Sequence, residues 1–374
     1  MKLIYSDVIF PENSYNNQDL LNLIFEYSES SFIGDLKHFL SQVGLLLNLS
    51  GAKKRRWIQS PDEQLQMIKS LIVKMKSSVD INWNQKGLLI SASVDKTFSE
   101  PGDSYFFANI MGLENVECLD ILDACNSHVR AWFIAQSLLK SKSYDWILIV
   151  SAECRSGFEL YNGKNKERFS FHNKNELTWR FPSLTLGDAI AVSLLKNDDN
   201  ATEWPFEIIS QTTNAPLCYA HTQGARMFQE TLQTFNEQNN LVYPSEFKTN
   251  RNEMQFPCFY SQLELASLKP VVKVWENLRA RLQLKSPGLT EKLISHSSNF
   301  NGWSSAAQWA GFSAEKHMNV YENYGNIVSC SVPASLATAH SQGQLQTGDK
   351  INVWTGAAGS SFFAFQFPFT QWKN

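Results

Sequence analysis

The sequence predicts an α/β fold built from two related halves. Three observations carry that prediction. Short, nearly continuous apolar runs such as Trp146-Ile-Leu-Ile-Val-Ser151 have the character of strands covered on both faces. Other stretches place apolar residues at helical spacing, as at Leu65, Ile68, Leu71, Ile72 and Met75. The two kinds alternate along the chain, which favours strands joined by helices. A chain of 374 residues is also long for one small core, so two domains or two fused halves are expected. The polar break at Asn197–Glu203 suggests residues 1–200 and 201–374 as those halves.

Each element has its own signal. Lys2–Phe10 reads as a strand, ended by Pro11-Glu12-Asn13. Asn17–Ser28 reads as an amphipathic helix with Leu20, Leu21, Ile24 and Phe25 on one side. Pro61–Met75 reads as a helix in which Pro61 suits the first turn and Ser60 the N-cap. Gly87–Ser93 is an apolar strand, and Ser104–Met111 a helix stopped at Gly112. Cys118–Cys125 reads as a strand that turns into a buried helix carrying Val129, Trp132, Ala135 and Leu139. Trp146–Ser151 follows as a strand. Residues 155–183 are polar and read as a long excursion, either a functional lid or interface element or a disordered segment. Leu184–Leu195 returns to strand character, and Phe206–Ser210 restarts the pattern. In the second half, Leu217–Asn239 contains a helix and Leu263–Leu282 is helical, with a break expected at Pro270. Leu293–His296 is a strand, Gly302–Gly311 a helix and Ile327–His340 a helix of small residues. Lys350–Thr355 is a strand leading into the turn Gly356-Ala357-Ala358-Gly359, and Ser361–Pro368 alternates and closes the fold.

Composition excludes several functions. The net charge is −3 and the pI about 6.2, so there is no nucleic-acid footprint. The one basic run, Lys53-Lys54-Arg55-Arg56, reads as a solvated turn or as a contact for the phosphate of a thioester carrier. Six cysteines form no C-x-x-C pair and no zinc spacing with histidine, so no metal is expected. They read as reduced thiols of a cytoplasmic protein. Neither a signal peptide nor an apolar run long enough to span a membrane is visible.

Cys125 is the chemically informative residue. A thiol at a helix start meets unpaired N–H groups and the positive end of the helix dipole, which lowers its pKa. Such a cysteine is a candidate nucleophile. A structural core cysteine is the other reading of this segment. The same pattern, a strand end followed by a reactive or polar group, recurs at Ser295-His296-Ser-Ser-Asn299 and at Tyr324-Gly325-Asn326. Ends of buried strands are where open α/β sheets place ligands. Each motif is weak alone, and the three together make a set of thiol, imidazole and carboxamide.

Several of these motifs resemble the beta-ketoacyl synthase III family in order. Gly51-Ala-Lys-Lys-Arg-Arg56-Trp57 is similar to its glycine–arginine turn. Gly112 through Cys125 is similar to the approach to its nucleophile, and Trp146–Glu153 to the strand that follows. Gly187-Asp188-Ala189 is similar to its Gly-Asp turn, His296-Ser-Ser-Asn299 to its His-Gln-Ala-Asn motif, and Tyr324–Pro333 to its Gly-Asn…Val-Pro segment. The resemblance implies a thiolase-like five-layer αβαβα fold, normally a homodimer. It implies that Cys125 accepts an acyl group from coenzyme A or an acyl-carrier protein, with no cofactor beyond these thioester substrates. It implies an oxyanion hole at Cys125 and the Gly356–Gly359 turn. His296 and Asn326 would stabilise the enolate of a malonyl-type thioester as CO2 leaves.

The sequence departs from the family pattern at defined places. Asp123-Ala-Cys125-Asn-Ser127 frames the nucleophile with polar residues. Glu100, before Pro101, stands where the family often carries an apolar gate into the partner's acyl pocket, which suits a short, polar or amine-bearing acyl group. Ala357 and Ala358 replace glycines, Ser30–Leu49 differs, and the tryptophan motif associated with holding coenzyme A is missing. Glu100, Pro101, Asn299, Arg56 and Trp57 are the expected substrate-binding residues. These departures point to a specialised lipid or polyketide-type synthase. The competing readings are acyl transfer to an oxygen or nitrogen nucleophile without condensation, a non-catalytic partner subunit of a synthase heterodimer, and a papain-like hydrolase.

Overall fold

Two five-stranded sheets of the same topology organise the chain. The computed structural model describes residues 1–154, 168–219, 229–239, 241, 258–284, 291–296 and 298–372. The first sheet uses β1 (Lys2–Ile9), β4 (Gly87–Ser91), β5 (Glu117–Asp120), β6 (Trp146–Glu153) and β7 (Ala189–Lys196), in the order β1-β7-β6-β4-β5. The second uses β8 (Glu207–Ser210), β9 (Lys292–Ser295), β10 (His317–Met318), β11 (Lys350–Ala357) and β12 (Ser361–Pro368), in the order β8-β12-β11-β9-β10. In both, the first two pairings are antiparallel and the last two parallel. A small hairpin pairs β2 (Ser14–Asn16) with β3 (Lys54–Arg56).

Helices fill the other layers. In chain order they are α1 (Asn17–Ser28), α2 (Leu36–Ser50), α3 (Pro61–Ser78), α4 (Asp103–Ile110), α5 (Ser127–Lys140), α6 (Leu177–Arg180), α7 (Gln229–Gln238), α8 (Tyr260–Leu282), α9 (Phe300–Ala310), α10 (Tyr321–Tyr324) and α11 (Ser331–Ser341). α5 and α11 lie between the sheets. α5 packs on β6 and sends Trp132 to meet Phe365 and Phe367 of β12 edge-on, at centroid distances of 6.0 and 5.9 Å. α11 touches β1 and β7 on one side and β9 and β10 on the other. Outside, α3 and α4 cover the first sheet and α8 the second. The result is helix, sheet, helix, sheet, helix, which is the five-layer arrangement expected.

Burial explains the central helices. Ser331–Ser341 is nearly all small residues, and almost every one of them is buried. Small side chains let this helix lie close against both sheets at once. The strand β6 is buried along its whole length, as a strand covered on both faces must be.

Ser30–Leu49, where the sequence departs from the family pattern, largely forms helix α2, with Phe39, Val43 and Leu47 buried at helical spacing and Asp35 as N-cap. Other expectations are corrected. α8 runs without a break through Pro270. The strand at 184–195 begins only at Ala189, after a 3₁₀ turn over Phe181–Thr185. Of the polar excursion, 155–167 lies outside the described residues. From Arg168 onward it is packed structure, with Phe169 and Phe171 fully buried against α1 and α2. Among the described residues, no helix is long and apolar enough to cross a membrane.

Candidate active site

The first reactive turn joins β5 to α5. Cys125 sits just before the helix and Asn126 is its N-cap residue. Ala124 takes φ +47°, a left-handed conformation uncommon for a residue with a Cβ. The polar frame holds that turn. Asp123 accepts a hydrogen bond from the Ser361 hydroxyl at 2.9 Å and from Arg130 Nε at 2.8 Å. Asn126 Nδ2 donates to the Ser361 carbonyl at 2.8 Å and to its hydroxyl at 3.1 Å. The departures from the family's small residues therefore stitch the cysteine turn to the start of β12, in the other half.

The Cys125 thiol lies close to the backbone of Ala358, whose N–H, like its own, favours the thiolate. Its pKa is nonetheless pushed well above the ordinary thiol value. Burial is the largest cause, and the nearby Cys218 and Glu153 add to it. The helix start and two N–H donors do not overcome desolvation, which corrects the expectation of a lowered pKa.

His296 follows β9 and is 4% exposed. Burial pushes its pKa down to about 4, so the ring is neutral at ordinary pH. Its backbone is anchored. Asn319 Nδ2 donates to the His296 carbonyl at 3.1 Å and to Ser295 Oγ at 2.9 Å, and Ser295 Oγ lies 2.7 Å from His317 Nε2. Trp354 of β11 pairs with Ser295, so His296 continues alongside the segment that reaches Ala358 and the Cys125 thiol.

Asn326 lies in the second reactive turn, after β10. Its N–H donates to Thr185 O at 2.8 Å, and its carbonyl accepts from Gly187 N–H at 3.0 Å. Two glycines make this close approach possible. A Cβ on Gly187 would stand 2.0 Å from Tyr324 O, and one on Gly325, at φ +69°, would stand 2.3 Å from Thr185 O. Val328 N–H donates to Asn326 Oδ1 at 3.0 Å, which leaves the amide NH2 as the group the side chain has to offer. Cys125, His296 and Asn326 thus all follow the C-terminal ends of parallel strands, as does the loop carrying Glu100.

The other expected residues divide. Gly356 and Ala357 belong to β11, so the turn is Ala358-Gly359-Ser360, and Ala358 supplies the N–H that faces Cys125. Trp57 is fully buried, stacks on Tyr15 at 4.4 Å and donates to Leu186 O at 2.9 Å. It belongs to the core and cannot touch a substrate, which corrects that expectation. Arg56 Nη1 donates to Pro11 O and Glu12 O, and its guanidinium covers the Tyr324 ring. Asn299 is the N-cap of α9, accepting from Gly302 N–H, while its Nδ2 donates to Tyr260 and Glu264. Ser297 of the same motif lies outside the described residues. Glu100 is exposed and precedes Pro101 through a cis peptide bond. Its loop is tied down by Asp103, which accepts from Thr97 and Phe98 N–H groups, and by the Lys96–Asp120 ion pair. Among the described residues, no cluster of His, Cys, Asp or Glu is arranged to hold a metal.

Sequence reasoning missed Glu153, Asn319 and the cross-chain role of Asn126. Glu153 had a visible signal, a carboxylate at the end of an otherwise apolar buried strand, the kind of residue that is almost never buried without partners.

The comparisons with known proteins bear on the fold and on the sequence likeness. Residues 287–367 match the family profile described as 3-Oxoacyl-[acyl-carrier-protein (ACP)] synthase III C terminal. Beta-ketoacyl-[acyl-carrier-protein] synthase III of Fusobacterium nucleatum is 22% identical over 312 residues, covering 83% of this chain and 85% of the relative. The protein of that name from Aliarcobacter butzleri is 24% identical over 303 residues, covering 77% and 78%. Among solved structures, OleA of Xanthomonas campestris with bound lauric acid and lauroyl-CoA superposes with TM-score 0.76 at 17% identity, covering 99% of both chains. A 3-oxoacyl-(acyl carrier protein) synthase III, FabH, from Xanthomonas oryzae gives TM-score 0.74 at 17% identity, covering 98% of this chain and 100% of that one. These structures share the thiolase-type fold, and the sequence matches carry the likeness further: the chain is similar to the beta-ketoacyl synthase III condensing enzymes.

Proposed function

We propose that Cys125 accepts an acyl group from a thioester and that the acyl-enzyme then condenses with a malonyl-type thioester in lipid or polyketide-type synthesis. The observation that carries the reading is the place of Cys125 at the mouth of α5, with the backbone of Ala358, in the turn after β11, close to its thiol. Donors in that place suit the oxyanion of acyl transfer, where each is worth about 2.7–4 kcal/mol. As the new S–C bond forms, the bond to the carrier sulfur breaks, and the departing thiolate takes up the Cys125 proton. In the second half-reaction, the malonyl carboxylate leaves as CO2. Its electron pair moves into the thioester as an enolate, whose carbon attacks the acyl carbonyl and frees the Cys125 sulfur.

His296 and Asn326 support condensation over simple acyl transfer. A neutral imidazole and a carboxamide donate hydrogen bonds to an enolate oxygen without supplying a strong acid that would quench the carbanion. The low pKa of His296 keeps it neutral at every pH well above about 4. The donor is a coenzyme A or carrier-protein thioester. The exposed acidic Glu100 suits delivery into a second copy's acyl pocket and favours a short, polar or amine-bearing acyl group. Exposed Phe98, Tyr105, Leu119 and Leu122 beside the edge strand β5 support a homodimer through that edge.

Intact-protein mass spectrometry with a panel of acyl thioesters tests the first step. An adduct is expected with the full chain and absent in Cys125→Ala. Acylated Asn326→Ala is expected to release no CO2 from a malonyl thioester, and undiminished release would remove Asn326 from the mechanism. No adduct with any donor would favour a non-catalytic partner subunit.

A further inference from the structure

Glu153 ends β6 with its side chain inside the molecule, 4% exposed. Its two oxygens collect three donors from two loops. Val94 N–H reaches Oε1 at 2.9 Å, Asp95 N–H reaches Oε2 at 3.2 Å, and the Ser329 hydroxyl donates to Oε1. The loop at 94–95 leads to Glu100. Ser329 stands next to Val328, a β-branched residue held at φ +50°, where such residues are true outliers. Val328 N–H is the donor that fixes the Asn326 carboxamide. One carboxylate therefore anchors the strained turn that presents Asn326. Its charge also faces the Cys125 thiol.

We propose that Glu153 is a positioning residue of this site: its ionised carboxylate holds the Asn326 turn to the end of β6 and sets the field at Cys125, so that protonating it stops the malonyl half-reaction before it stops acyl loading. The inference rests on the role of Asn326 proposed above. The groups facing Glu153 do not oppose its protonation. Asp95 on the neighbouring loop, Cys125 on the nucleophile turn, Cys154 just after its strand and Cys330 on the Asn326 turn are all neutral or acidic. Burial, with Asp95 adding, raises the Glu153 pKa to about 7 despite Ser329 and the two N–H donors. The carboxylate is thus lost as pH falls through about 7. A glutamine there keeps the volume but cannot accept at every position and carries no charge.

The test compares the full chain with its Glu153→Gln variant over about two pH units either side of neutrality. CO2 release from a malonyl thioester should fall about tenfold per pH unit below about 7 in the parent. In the variant it should be about tenfold or more slower at alkaline pH and lack that limb. Alkylation of Cys125 by iodoacetamide should move to lower pH in the variant, because a facing negative charge is gone. A merely structural residue would lower the amount of folded protein and move neither profile. Ser329→Ala guards against a misfolded variant. It removes one hydrogen bond and keeps the charge, so it should slow CO2 release and leave the alkylation profile in place. An acid limb that survives Glu153→Gln overturns the proposal. If the parent releases no CO2 from any malonyl thioester, the condensation reading fails by itself. The alkylation shift still decides whether Glu153 acts on Cys125, and an unmoved profile sinks that part too.

Discussion

The two reactive turns occupy the same place in their halves and are held in opposite ways. Each follows the second parallel strand of its sheet, β5 or β10, and leads into a helix of the central layer. The cysteine turn is tied to the second half, through Asp123 and Asn126 to Ser361 and through Ala358 at the thiol. The asparagine turn is tied to the first half. Asn326 exchanges backbone bonds with Thr185 and Gly187, Ser329 bonds Glu153, and Cys330 Sγ bonds Ser151 O and Ala189 O at 3.4 and 3.3 Å. Each half carries one of the proposed site residues, and the other half holds its turn. Such a site exists only while the halves stay docked, which is a physical reason for keeping two similar units in one chain.

The largest expected effect comes from breaking the backbone clasp on the asparagine side. Gly187→Ala would place a Cβ 2.0 Å from Tyr324 O, an atom of rigid backbone. The turn has to move or the segment has to unfold, at a cost of about 3 kcal/mol or more. Chemical denaturation should register that loss, and CO2 release should fall further than Cys125 acylation. An equal fall in both would mean that the two turns are not held separately.

Acid should test the docking itself. Buried His296 and half-buried His317 have pKa values pushed down to about 4, and buried His128 to about 3. The unfolded chain takes protons at all three below about 6.5, while the folded chain refuses them until much lower pH. Their stabilisation is therefore complete above about 6.5 and is lost as pH falls toward 4, on the order of 3 kcal/mol for each. Glu153 works in the opposite sense. It binds its proton more tightly when folded, so between about 4.5 and 7 it offsets one histidine. Unfolding near pH 5 should then take up about two protons net. The hydrogen bonds at His128 fit a neutral ring. Ser151 spends its proton on Ala92 O, so Nδ1–H donates to Ser151 and Nε2 accepts from Ser193, each at 2.8 Å. His128→Gln should remove one proton from the slope of a single transition. Two resolved transitions would show that the cross-ties do not weld the halves.

What the sequence disclosed and what it hid follow the same division. Cys125, His296 and Asn326 stand out in the sequence because each sits in a short local motif at a strand end. The repeated alternation of strands and helices made the layered α/β architecture legible in the same way. The cross-ties were not, because they join residues far apart in the chain. Asn126 meets Ser361 across 235 positions, and Glu153 meets Ser329 across 176. A polar residue beside a nucleophile looks the same in sequence whether it faces solvent, substrate or the other half. Trp57 misled for a related reason: an aromatic after a basic run suggests a surface contact, yet β3 turns it inward onto Tyr15. The thiol pKa misled because a helix start is visible in sequence and desolvation is not.

The smallest of these effects is also the most selective. Asn126→Ala removes two hydrogen bonds to Ser361 from a fully buried side chain. The loss is partly offset, because Asn126 Oδ1 has no hydrogen-bond partner among the described residues and its desolvation disappears with it. The net cost to stability should be about 1–2 kcal/mol. The Asp123–Ser361 and Asp123–Arg130 bonds remain and keep the turn in place. What changes is the freedom of Cys125, one residue away, to drift from Ala358 N–H. Acyl loading should slow several-fold while CO2 release by the variant, once acylated, stays within about twofold of the parent. That is the mirror image of Gly187→Ala. If Asn126→Ala instead impaired both half-reactions equally, the ties to Ser361 would serve the fold as a whole, and the division of labour between the two turns would not hold.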